Sequence, residues 1–102
     1  MTSAAKAETR PFDMADYLGD ANSQAAALSE ALASGHQAII LDTLGAIARA
    51  RGMTNLARVT GVNRQTLYAA LGEDGNPTLE TLLAIIDALG LELHADVAAK
   101  AA

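Results

Sequence analysis

Apolar residues recur at helical intervals along most of this chain, and turn-forming residues punctuate them. Residues 1–10 are small and polar. Asp13 can cap a short turn of helix reaching Tyr17, with Met14, Tyr17 and Leu18 on its apolar side, and Gly19-Asp20 breaks it. Asn22 or Ser23 then caps a helix running to Ser34, with Ala25, Leu28, Ala31 and Leu32 on one stripe. Gly35 ends that helix as a left-handed cap. The next helix runs from about Gln37 to Arg51, carries Ile40, Leu44 and Ile47 with Leu41 and Ala48 alongside, and stops at Gly52. Two short helices follow, over about 54–60 and 64–71, separated by Gly61-Val62-Asn63. Beyond the loop Glu73-Asp74-Gly75-Asn76-Pro77, Thr78 caps a last helix with Glu80 in its first turn. Its apolar positions are Leu79, Leu82, Leu83, Ile86 and Leu89, and Gly90 ends it. Leu91 to Val97 alternates apolar and polar with period two, which predicts a short strand. One strand is unstable alone, so it needs either Arg10–Phe12 or its copy in a second subunit.

This pattern predicts an all-α, compact five- to six-helix domain with a short C-terminal strand. The chain divides into an N-terminal arm and helical segment (1–36), a central domain (37–90) and a strand with an Ala-rich tail (91–102). Its 102 residues allow one domain. Aromatics make up only 3% of them, so the core is expected to be aliphatic and Ala-rich. The absence of Cys removes disulfides, thiolate metal sites and Cys nucleophiles. No apolar run is long enough to span a membrane, and no signal-peptide core begins the chain, so a cytoplasmic location is expected. His36 and His94 are 58 positions apart with no second ligand at helical spacing, so no metal motif exists. Asp13 and Asp16 could share a helix face, but two carboxylates without a pocket more often solubilise than catalyse. Neither an enzyme nor a cofactor is expected.

Charge changes the picture. The formal net charge is −5, which argues against nucleic acid until its distribution is read. Thr43 to Gly72 holds Arg49, Arg51, Arg58 and Arg64 and no acid, so this block is +4 while the other 72 residues sum to −9. A basic stretch between acidic flanks is a local electrostatic footprint. The same block reads MTNLARVTGVNRQTLYAALG over Met53 to Gly72. Two helices crossing steeply through a short turn need a small residue at their closest approach, here Ala57, and a residue tolerating positive φ four positions on, here Gly61. Leu56, Val62, Leu67 and Ala70 take the inward positions of a helix-turn-helix, with Thr54 capping the first helix and Asn63 the second. The outer face of the second helix offers Asn63, Arg64, Gln65, Thr66 and Tyr68 to base edges in a major groove. Arg can bond guanine O6 and N7 together, and Gln adenine N6 and N7. Thr54, Asn55 and Arg58 suit phosphate contacts that position without specifying.

With its flanking helices, this segment resembles the helix-turn-helix of the phage-repressor (Xre/Cro) class. The longer match is closer. RPFDMADYL near the start and LGAIARARGMTNLARVTGVNRQTLYAALGEDGNPTLETLLAIIDALGLEL further on resemble the addiction-module antidote proteins, antitoxins of the HigA-like group usually encoded beside a RelE-superfamily toxin. The resemblance covers roughly residues 10–97, and the ARARGM, LYxAL and GNPT strings carry it. It implies a dimeric operator-binding repressor that also neutralises a small basic RNA-cleaving toxin. Asn63, Arg64, Gln65 and Tyr68 match the family's recognition-helix face, and Arg58 its backbone-contact helix; no toxin-contact residue carries over.

Residues 1–42 are net −4, and an RNA-cutting enzyme needs a positive surface, so Phe12, Asp13, Asp16 and Tyr17 are the expected toxin contacts. Self-packing of that arm is the alternative for Phe12 and Tyr17. A footprint of +4 is weak for a monomer, so a homodimer is expected, its two reading helices about 34 Å apart. The C-terminal strand and the exposed apolar residues of the last helix are the candidates for that contact. The alternatives are a stand-alone transcriptional regulator and a protein-only interaction module that retains the fold.

Overall fold

Each helix boundary has a local cause. The computed structural model describes residues 18–99, which form α1 (Ala21–Ser34), α2 (Gln37–Arg51), α3 (Met53–Thr60), α4 (Arg64–Ala70) and α5 (Leu79–Ala88). Among the described residues there is no strand. The cap of α1 is Asp20, not Asn22 or Ser23: its carboxylate accepts from the Ser23 backbone N–H at 2.8 Å. That bond, then the Ser23 side chain, holds the Asp20 carboxyl below its ordinary range. Asn63 and Thr78 cap α4 and α5 as expected, accepting from Thr66 N at 2.8 Å and Thr81 N at 3.1 Å. Thr54 does not cap α3: Met53 already lies in the helix, Gly52 holds the cap position, and no side chain bonds there. The short turn expected over residues 13–17 lies outside the described residues.

The core is aliphatic. Leu18, Leu44, Ile47, Leu67, Ile85 and Leu89 are its largest fully buried apolar side chains. Helix α2 is buried almost all round from Thr43 to Ala48, because α1 lies along one side of it and α3 meets another. Helix α3 also packs on α4 and α5, so it links α4 to the rest of the molecule.

Two stripes are turned from their expected positions. On α1 the inward residues are Gln24, Leu28 and Ala31, while Ala25 is exposed. Gln24 can be buried because its polar atoms are satisfied: Nε2 donates to the Leu18 carbonyl at 3.0 Å, and Oε1 accepts from Arg51 Nε at 3.0 Å. On α5 the inward residues are Ile85, Ile86 and Leu89; Leu79 and Leu83 are exposed. The helix has two adjoining apolar stripes, and packing against α3 buries only one of them.

Residues 91–98 do not form the expected strand, since none of them pairs with another segment among the described residues. Leu91 N–H alone is tied, to the Ile86 carbonyl at 3.2 Å. The expected partner within the chain, Arg10–Phe12, lies outside the described residues. A groove of about 830 Å³ lies between this segment and α1, lined on the helix by Ala21, Asn22, Ala25, Leu28, Ser29 and Leu32 among others.

Candidate nucleic-acid interface

The site begins with the α3–α4 turn. Gly61 has φ +77°, and its N–H reaches the Ala57 carbonyl at 2.9 Å, closing α3. Thr60 tightens the turn: its hydroxyl donates to the Leu56 carbonyl at 2.8 Å and accepts from Val62 N–H at 3.1 Å. The inward positions fill as expected, with Leu56, Leu67 and Ala70 buried and Val62 half-buried against the same core. The loop after α4 is held as closely. Gly75 lies so near α4 that a Cβ there would stand 2.1 Å from the Ala70 carbonyl oxygen. The end of α4 is therefore fixed from both sides.

With Leu67 and Ala70 turned in, Asn63, Arg64, Gln65, Thr66, Tyr68 and Ala69 are left exposed. The Asn63 side chain is committed to its cap, so Arg64, Gln65 and Tyr68 are the groups able to reach outward. Arg64 is not loose. Its Nη2 donates to the Tyr68 hydroxyl at 3.4 Å, and its guanidinium lies 5.7 Å from the ring centroid, one helical turn away. Stacking on the ring leaves other guanidinium N–H groups able to bond a planar pair of acceptors. Thr54, Asn55 and Arg58 are exposed on α3, and Arg58 donates to the Asn55 side-chain oxygen. This pair holds the Arg58 guanidinium over α3.

The four-arginine footprint does not survive as one surface. Arg51 turns inward, where Nε bonds Gln24 and Nη2 bonds the Leu89 carbonyl at 2.8 Å. It thereby joins α1, α2 and the end of α5. Arg49 is likewise engaged by another group. Arg58 and Arg64 remain on the α3–α4 surface. The sequence carried one signal for Arg51, its place in the last turn of α2, where a cation suits the helix dipole; its partners, 27 and 38 residues away, left none. Phe12, Asp13, Asp16 and Tyr17 lie outside the described residues. No helix among the described residues is long and apolar enough to cross a membrane.

Fold and surface thus define a small helical protein with a polar helix face turned outward. Comparison with known proteins carries this further. The family model described as "Probable addiction module antidote protein" matches residues 8–97, and the chain belongs to that family. A protein of Haemophilus influenzae, described as an uncharacterized protein, is 39% identical over 87 residues, covering 85% of this chain and 90% of the relative. No solved structure matches.

Proposed function

We propose that this antidote protein is a HigA-like antitoxin that binds operator DNA through an Xre/Cro-type helix-turn-helix, represses its own operon and neutralises a RelE-superfamily toxin by direct binding. The carrying observation is the exposed Arg64–Tyr68 pair on a helix anchored by buried Leu67 and Ala70. In this docking α4 lies in the major groove. Arg64 and Gln65 read base edges there, Tyr68 and Thr66 contribute apolar contact and hydroxyls, and Thr54, Asn55 and Arg58 meet the backbone. With Arg51 bonded to Gln24 and to the Leu89 carbonyl, one copy holds duplex weakly, so the protein acts as a homodimer on a two-fold operator. Membership of the antidote family supports the toxin partner, and the acidic N-terminal arm, with Phe12, Asp13, Asp16 and Tyr17, is its contact.

The test uses the DNA upstream of the chain's own gene in a gel-shift titration. Wild type is expected to prefer this fragment to scrambled DNA. Arg64→Ala is expected to lose that preference, about 1–3 kcal/mol per base pair read, with its melting temperature unchanged. Equal affinity for both DNAs in wild type would remove the repressor reading and leave a protein-only module. Toxin binding is tested separately, by removing residues 1–20 and measuring rescue from the neighbouring toxin gene. Full rescue would take the contact away from the arm.

A further inference from the structure

The unpaired segment after α5 has a self-complementary pattern. Its odd positions are Leu91, Leu93, Ala95, Val97 and Ala99, all apolar; its even positions include Glu92, His94 and Asp96. Leu93 is 41% exposed and Val97 96% exposed, although both are large and apolar. Backbone donors and acceptors from residue 92 onward make no bond to any other backbone group among the described residues. Backbone left unpaired in this way, on a segment of strand-like alternation, is open to strand addition.

Charge selects among the ways in which two copies could pair. In an antiparallel two-fold ribbon, residues facing each other share one side of the sheet, so odd positions must face odd positions to keep the apolar side continuous. Centring on Glu92 or Asp96 sets that carboxylate against itself. Centring on His94 sets Glu92 against the second copy's Asp96, a like-charge pair made twice. Centring on Leu93 avoids repulsion but pairs only residues 91–95, leaving Val97 outside. Centring on Ala95 pairs residues 91–99 throughout. It places Leu93 against Val97, His94 against Asp96 and Leu91 against Ala99, with no like charges facing. His94 Nε2 already lies 3.2 Å from the Glu92 carboxylate of its own segment, so its ring nitrogen is placed for a carboxylate on that side.

We infer that residues 91–99 pair with the same segment of a second copy, antiparallel and centred on Ala95. The inference rests on the dimeric reading above and names the surface that makes the dimer. The groove beside α1 leaves one side of the segment open to a second strand.

A chain without cysteine allows a direct test. Leu93→Cys, His94→Cys and Ala95→Cys are made singly in the full chain, without DNA or toxin, and disulfide formation under mild oxidant is followed on a non-reducing gel at micromolar concentration. In the Ala95-centred ribbon the two Cα atoms at 95 lie about 4.5–5.5 Å apart, within disulfide reach, whereas those at 93 and 94 exceed about 7 Å. Ala95→Cys is therefore expected to cross-link at least tenfold faster than the other two. Val97→Asp is expected to weaken dimerisation at least tenfold by light scattering, with its helical spectrum intact. Fastest cross-linking at 93 or 94 would overturn the register. A dimer that cross-links at none of the three, or a monomer, would overturn the pairing. A protein that binds its operator yet cross-links nowhere leaves the repressor reading standing. One that cross-links at 95 and ignores operator DNA upholds the pairing and removes the repressor reading.

Discussion

Arg51→Met separates two roles that the same arginine could have. Methionine keeps the aliphatic stem and its packing, and removes the guanidinium. Two acceptors then lose their partner: Gln24 Oε1, on a residue 2% exposed, and the Leu89 carbonyl, on a residue 1% exposed. An orphaned buried acceptor costs about 1–3 kcal/mol. Arg51 itself is partly in solvent, so water can reach from its side and offset part of this. We expect a net loss of about 2 kcal/mol, read as a lower urea midpoint with an unchanged slope, and a melting temperature about 8 °C lower. In the double variant Gln24→Met/Arg51→Met the Oε1 orphan is gone, so the combined loss is expected to fall short of the two single losses summed, by about 1 kcal/mol. The second readout is salt. If Arg51 met a phosphate, removing it would flatten the logarithmic salt dependence of operator binding by about 1 per copy. The inward geometry predicts an unchanged slope. An unchanged urea midpoint together with a flatter slope would refute the reasoning and return Arg51 to the DNA surface.

Leu67→Ala removes a side chain with no exposure from beneath α4, and is expected to cost about 2–5 kcal/mol in urea unfolding. Gly75→Ala drives a methyl group into the Ala70 carbonyl; because the atom it meets is backbone, it is expected to displace α4 and abolish operator binding, with amide exchange faster over residues 64–75. Gly61→Val places a β-branched residue at φ +77°, where the strain alone is about 1–3 kcal/mol or more, and is expected to lower the melting temperature without any clash. Asp20 carries a folded-state pKa below its unfolded value, so its contribution is fully present above the unfolded value and is lost as pH falls through the folded one. Asp20→Ala is therefore expected to be less stable than wild type near neutrality and to converge with it in acid, as followed by thermal melts between about pH 2 and 6.

The sequence alone determined what depends on neighbours a few positions away. Asn63 and Thr78 were legible as caps because a cap bonds a backbone N–H three residues on. Gly35 and Gly61 were legible because positive φ closes a helix locally. Leu56, Leu67 and Ala70 were legible because the turn between the helices fixes their direction, and the outward face of Arg64, Gln65 and Tyr68 follows from the same constraint. Tertiary structure decided the rest. Gln24 goes inward in place of Ala25 because Leu18 and Arg51 supply its hydrogen bonds, and Arg51 leaves the basic footprint for the same reason. Ile85 is buried while Leu79 and Leu83 are exposed because α5 carries more apolar surface than α3 can cover. Residues 91–98 have the alternation of a strand and lack its ladder, because alternation belongs to the segment and a ladder to a pair. The division follows the range of the forces: dihedral preferences and capping bonds act within one turn, whereas burial and the satisfaction of buried polar groups depend on which distant segments meet.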